Sequence, residues 1–156
     1  MGFRLISSEL AIGAPGETAN GVRCENLESL TFSDQEFDLI TSTGVMEHVE
    51  DDQTAFRETF RTLKPCGRDV FTVPFSYDGQ ETKLRARREP DGSIHDVLLP
   101  EYHGDPFAGD GGVFTWRNYG SDLLDLLGQI GFRASPKHVA LPKLPEPMSV
   151  FVAQRA

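Results

Sequence analysis

Between residues 37 and 74 the apolar positions change period twice. Phe37 to Thr43 is a short, mostly apolar run; behind the acidic stretch Glu50, Asp51 and Asp52, the residues Ala55, Phe56, Thr59, Phe60 and Leu63 recur at helical spacing. A break at Pro65 and Gly67 follows, then a second apolar run from Val70 to Val73. The pattern predicts strand, helix, strand. Neither strand alternates cleanly, as expected of parallel strands, so the segment predicts one βαβ unit with Phe37–Thr43 and Val70–Val73 as neighbours and a Thr54–Leu63 helix packing Phe56 and Phe60 on them. Ligands of such sheets sit at the carboxyl ends of the strands. Here those ends carry Thr43, Gly44, Glu47 and His48, and Pro74, Phe75 and Ser76.

The flanks are less regular. Phe3 to Ile6 is a short apolar segment that predicts a strand running into Ser7, Ser8 and Glu9, and Val22 begins another that ends near Glu25, Asn26 and Leu27. Glycine, proline and asparagine between residues 13 and 21 predict a loop. Residues 76–118 are too long for a plain connection and predict an insertion. In it, Pro90-Asp91-Gly92 between alternating runs marks a hairpin, with Lys83, Arg85 and Arg87 on one strand face. Such a stripe suits an anionic group of a substrate, although a solvated face explains it more simply. Beyond the hairpin, Tyr102, His103, Phe107, Phe114, Trp116 and Tyr119 suit a lid over a small or glycan-like substrate, or plain packing of that lid. Asp122 opens a last helix with Leu123, Leu124, Leu127 and Ile130 on one face, Gly131 stops it, and Phe132–Leu141 and Met148–Gln154 read as closing strands.

The runs F-D-L-I-T-S-T-G-V-M-E-H-V and L-K-P-C-G-R-D-V-F-T-V-P resemble the central strand, helix and strand of class I S-adenosylmethionine-dependent methyltransferases. Gly44 stands where that family often has Asp, and Cys66 where it has the first of two glycines. The resemblance implies an α/β, Rossmann-like methyltransferase sheet in one domain over residues 1–156, with the hairpin and lid of 76–118 inserted before the last helix. It implies S-adenosylmethionine as cofactor, with Glu9 bonding the ribose, Asn26 and Leu27 at the adenine, and Thr43 and Gly44 as floor. Asn26 in place of an acid keeps an acceptor and drops the charge. The family's first strand and its G-x-G-x-G turn should precede Phe3, so the sheet is expected to be truncated at its amino-terminal side; Gly13-Ala14-Pro15-Gly16 is no substitute for the turn, because proline removes a donor.

Composition narrows the partners. With 24 acidic against 15 basic residues, a formal charge of -9 and a pI near 4.8, the chain is not expected to bind nucleic acid, which wants clustered Lys and Arg. Cys24 and Cys66 have no ligand or redox spacing and read as free thiols. No apolar stretch is long enough for a membrane span and no signal segment opens the chain, so no membrane partner and a cytoplasmic location are expected.

Methyl transfer from a sulfonium needs position and exclusion of water, and a base is optional. Where a proton must leave the acceptor, His48 and His103 are the catalytic candidates, each weighed against a purely structural histidine. Metal binding by Glu47, His48, Glu50, Asp51 and Asp52 is not expected: acids opening a helix answer its dipole, and one histidine makes a poor set. Two functions remain: a methyltransferase acting on a small molecule or saccharide, or a non-catalytic remnant of that fold serving binding or self-association. A bare sheet edge beside Phe37–Thr43 favours a homo-oligomer.

Overall fold

The structure, a computed structural model, describes residues 2, 4–10, 13–76, 78, 81–104, 111–140 and 148–156. The strands β1 (Ser7–Glu9), β2 (Thr18–Ala19) and β3 (Val22–Cys24) form a small sheet in the order β1-β3-β2, with β1 parallel to β3. The first strand lies later than the apolar run predicts. Backbone pairing of Ser7, Ser8 and Glu9 with Val22, Arg23 and Cys24 sets its place, while Leu5 of the run is 88% exposed with nothing to pack on. Phe3, Phe107 and the joint 141–147 lie outside the described residues.

The predicted βαβ unit is present as β4 (Phe37–Thr43), α1 (Asp52–Thr62) and β5 (Leu63–Thr72), with β4 parallel to β5. Asp51 caps α1: its carboxylate accepts the Thr54 N–H at 3.0 Å, so the acidic start signal acts as the sequence suggests. Extended backbone resumes at Leu63, earlier than Val70, through an irregular stretch against β4. Within it Cys66 holds φ 64°, a left-handed conformation that glycine takes without strain. A Cβ on the next residue, Gly67, would stand 2.9 Å from the Lys64 carbonyl oxygen.

In the insertion, β6 (Lys83–Leu84) pairs with β11 (Arg117–Asn118), β7 (Ala86–Arg88) with β8 (Ile94–Asp96), and β9 (Tyr102–His103) with β10 (Val113–Phe114). The turn between β7 and β8 is the predicted one: Gly92 has φ 86°, and Asp91 accepts from the Ser93 N–H at 2.9 Å. Then come α2 (Leu123–Ile130), stopped by Gly131 at φ 118°, and the antiparallel pair β12 (Phe132–Val139) and β13 (Met148–Arg155). The main sheet runs β12-β13-β5-β4, so β4 is an edge.

Both helices pack on this sheet. Phe56 of α1 is fully buried 5.5 Å from the ring of Phe71, which stacks on Phe151 at 5.3 Å. Phe60 differs from the expectation in degree: half-buried, it meets Phe132 edge-on at 5.0 Å and carries the Arg155 guanidinium over its ring at 4.5 Å. Phe56→Ala is therefore expected to cost ~3–5 kcal/mol, and Phe60→Ala clearly less. Urea unfolding of both variants checks this, and equal losses would mean that the two rings carry equal shares of the core.

Candidate functional site

The carboxyl ends of β1, β3 and β4 converge on one cavity of about 600 Å³ between the small sheet and the β4 edge. Of the residues expected to meet a cofactor, Glu9, Asn26, Leu27 and Gly44 all line it, as does His48. Thr43 does not. Its side chain is exposed on the strand, while the backbone of the following Gly44, at φ 60°, forms the floor and donates to the Thr72 carbonyl at 3.1 Å. Glu9 accepts from the Leu10 N–H at 2.9 Å, and Asn26 Oδ1 from the Glu28 N–H at 3.0 Å, which leaves each a second acceptor position.

Behind Asn26, Glu25 is buried, and its carboxylate takes hydrogen bonds from Thr31 and from Arg23. Burial would push its acidity the other way, yet these donors hold it below the usual carboxylate range. The pair fixes the β3 end from underneath.

A single 3-10 turn, Met46–His48, follows Gly44 and carries the histidine expected from the sequence. His48 Nδ1–H donates to the Phe114 carbonyl at 2.8 Å, so its Nε2 is the nitrogen with a free position. The insertion swings His103 alongside, with ring centroids 5.1 Å apart and planes at 85°. His103 Nε2–H donates to Glu101 at 2.8 Å and its Nδ1 faces the Glu47 carboxylate at 3.6 Å. Glu101 is held below the usual range by His103, with Arg85 2.9 Å away assisting. Glu47 is 2% exposed and its Oε2 has no partner; burial raises its pKa. The two catalytic candidates are thus brought together, His48 on the cavity wall and His103 behind it.

Of the charged stripe predicted on the hairpin, the two arginines are spent internally. Arg85 bonds Glu101, Asn118 and the Leu99 carbonyl, and Arg87 pairs with Glu89 at 2.8 Å. Most of the lid aromatics pack, Phe114 standing edge-on to Tyr102 at 5.5 Å and to Trp116 at 5.2 Å; Trp116 also lines the cavity.

Residues 7–71 match the family model of the methyltransferase domain. Among solved structures the fold is similar to that of the Burkholderia thailandensis 1,6-didemethyltoxoflavin-N1-methyltransferase, solved with 1,6-didemethyltoxoflavin and S-adenosylhomocysteine bound, at 19% identity and TM-score 0.55. That match covers 86% of this chain and 51% of the other. The chain has the class I methyltransferase fold. A Methanosarcina mazei S-adenosylmethionine-dependent methyltransferase matches at 17% identity and TM-score 0.51, over 86% of this chain and 66% of its own. The [4+2]-cyclase SpnF matches at 16% and 0.50, over 86% and 55%. No curated protein matches. The chain spans about half to two thirds of the length of these three structures.

In methyltransferase terms, β4, α1 and β5 are the unit that the sequence pointed to. One cavity residue escaped sequence reasoning. Asp69, immediately before the apolar second run, is 3% exposed with Oδ1 unpartnered, and burial pushes it up to about 7. An Asp adjoining the apolar run of a covered strand was the available signal. Its folded pKa lies above the unfolded value of about 3.9, so the folded state keeps a proton that the unfolded chain releases, and stability falls as pH rises from roughly 4 to 7. Asp69→Asn is expected to raise stability at pH 8 by ~2–4 kcal/mol and to change little near pH 4. Denaturant melts of both proteins across that range check it; a difference between them that does not grow with pH would overturn the buried, desolvated carboxyl.

Proposed function

We propose that the chain is the cofactor- and acceptor-binding part of an S-adenosylmethionine-dependent methyltransferase acting on a small molecule or saccharide, in the cytoplasm. The observation that carries this reading is the convergence of Glu9, Asn26, Leu27, Gly44 and His48, drawn from three strand ends, on one cavity. The donor set supports this reading: Glu9 and Asn26 bring carboxylate and amide acceptors, of the kind that ribose hydroxyls and an adenine amine bond, to one cavity, and Gly44 keeps its floor free of a side chain. When bound, the cofactor supplies an electrophilic methyl group. Glu9 and Asn26 would hold its nucleoside end, Leu27 would cover the base, and Trp116 would help exclude water from the cavity. His48, with Nδ1–H committed to Phe114, offers Nε2 to receive a proton from an acceptor hydroxyl or ammonium. His103, bonded to Glu101, would steady His48 through their ring contact.

The second reading, a non-catalytic member that binds or self-associates, draws on a different observation. Among the described residues no strand pairs with the outer edge of β1 or of β4, between which the family's first strand and its glycine turn are expected. A net hydrogen bond is worth about 1 kcal/mol, and up to ~3 with a charge, so without that turn the affinity falls by several orders of magnitude. The 156-residue chain is accordingly expected to bind S-adenosylhomocysteine weakly in calorimetric titration. A version with a strand and glycine-rich turn supplied ahead of residue 3 should bind ~100-fold tighter or better, and Glu9→Ala in it should return about tenfold of that gain. Absence of binding by the supplemented version rejects the cofactor site. Micromolar binding by the 156-residue chain would show that another of its segments does the work of the turn.

An unpaired strand edge recruits other chains. The 156-residue protein is therefore expected to be a dimer or larger in light scattering at micromolar concentration, and a monomer would show that side chains shield the β4 edge.

A further inference from the structure

One cluster does more than the methyl-transfer reading requires. A carboxylate oxygen of Glu47 and one ring nitrogen each from His48 and His103 lie within 4.8 Å of one another. Donors around a bound divalent ion, at metal distances of about 2.0–2.2 Å, stand about 3 Å or slightly more apart, close to the 3.6 Å between His103 Nδ1 and Glu47 Oε1. Glu47 brings an independent sign of a missing partner: it is 2% exposed and its Oε2 is buried without a hydrogen bond. A carboxylate desolvated in this way calls for a cation.

The histidines are arranged as metal ligands are. Each commits one N–H outward, His48 Nδ1–H to the Phe114 carbonyl and His103 Nε2–H to the Glu101 carboxylate, both at 2.8 Å. Each therefore keeps its other nitrogen as a lone-pair donor, and such outward bonds fix both ring orientation and tautomer in metal sites. Arg85 holds Glu101 in turn at 2.9 Å. An ion pair with Glu47 would instead need an imidazolium whose Nδ1–H reaches Oε1, and that contact, at 3.6 Å, is much longer than the 2.8 Å bond to Glu101.

We propose that Glu47, His48 and His103 form a binding site for one divalent first-row transition ion. Two imidazoles and one carboxylate favour such an ion over magnesium or calcium, which take oxygen ligands, and three protein ligands leave positions open for water or an oxygen of a bound acceptor. The site stands on side-chain geometry alone and does not depend on whether the cavity binds S-adenosylmethionine, but with the ion bound His48 Nε2 is a ligand and no longer the proton acceptor of the reading above.

The test uses the 156-residue protein stripped with chelator and titrated with Co2+, read by its visible ligand-field absorption, then with Zn2+. One Co2+ per chain is expected, displaced by equimolar Zn2+ and not by millimolar Mg2+. Glu47→Gln and His103→Ala should each weaken Co2+ binding ~100-fold or more, and Glu101→Gln, which acts only through His103, ~10- to 100-fold. His95→Ala, on the exposed β8 strand, should leave binding unchanged. Circular dichroism verifies folding, and Glu101→Gln, at a part-exposed position, carries the test if Glu47→Gln does not fold. Failure of the folded wild type to take up Co2+ or Zn2+, or uptake indifferent to Glu47, His103 and Glu101, overturns the site; displacement of Co2+ by Mg2+ overturns the assignment of metal class.

Discussion

Two sheets with no hydrogen bond between their strands among the described residues have to be held in register for the cavity between them to exist, and the Arg61–Glu58 pair on α1 clamps one to the other. Arg61 makes a two-pronged contact with Glu58 at 2.7 and 2.8 Å, and reaches the Leu30 and Phe32 carbonyls at 3.0 and 2.9 Å and Asp34 at 2.7 Å. Glu58 in turn accepts the Leu30 N–H at 3.1 Å. A planar guanidinium with five fixed donors suits this task as lysine would not. The Arg61 bond holds Glu58 below the usual carboxylate range, so the pair stays ionised. Because residues 30–34 follow directly on Asn26 and Leu27, clamping them to α1 fixes the β3 end relative to Gly44 on β4.

The insertion is fixed to the opposite side of the cavity by a second charged cluster. Arg117, 6% exposed, donates to the Val49 carbonyl at 2.8 Å and pairs with Asp52 at 3.2 Å; the Tyr119 hydroxyl donates to the same carboxylate at 3.0 Å. Burial, then the Asp52 charge, raises the phenol's pKa, so Tyr119 stays a donor. Trp116 N–H donates to the Glu47 carbonyl at 2.8 Å, and Arg88 forks onto Glu50 at 2.6 and 2.7 Å. These contacts all fall on residues 47–52, the turn bearing His48. The position of His103 against His48 follows from them, so the second histidine is set by the same turn as the first.

This division explains what the sequence disclosed. The β4-α1-β5 unit was legible because its periods, its Asp51 cap and its break at Pro65 are local signals, and the site residues at strand ends follow from topology once the strands are known. Phe60 was overrated because helical spacing marks a face without saying which of its residues reach the centre. The amino-terminal strand ends at Glu9 as read but starts later than its apolar run, because its extent comes from pairing with β3 and not from apolar content. The Glu47-His48-His103 grouping was illegible: the set considered along the chain held one histidine and acids from a helix start, and only the folded insertion supplies the other. Arg85 looked like a free cation for the same reason, its partner Glu101 lying beyond an intervening hairpin.

The charge around the cavity limits what can enter it. Among the described residues its lining includes Glu9, Glu25, Glu28, Glu50 and Asp69 and neither lysine nor arginine. Some of that charge is answered locally, Glu25 by Arg23 at 2.6 Å and Glu50 by Arg88 at 2.6 Å, while Asp69, pushed up to about 7, is partly neutral near physiological pH. What remains is acceptor-rich and negative, in walls that raise the strength of every interaction with a charge. A phosphate or carboxylate would meet repulsion there and no guanidinium to bind it, since Arg85 and Arg87 are both paired with acids of the insertion. Neutral polyhydroxylated molecules and amines meet acceptors instead. On the methyl-transfer reading proposed above, the same field would favour a sulfonium over the uncharged thioether left when its methyl is gone, and so would weaken the hold on the spent cofactor.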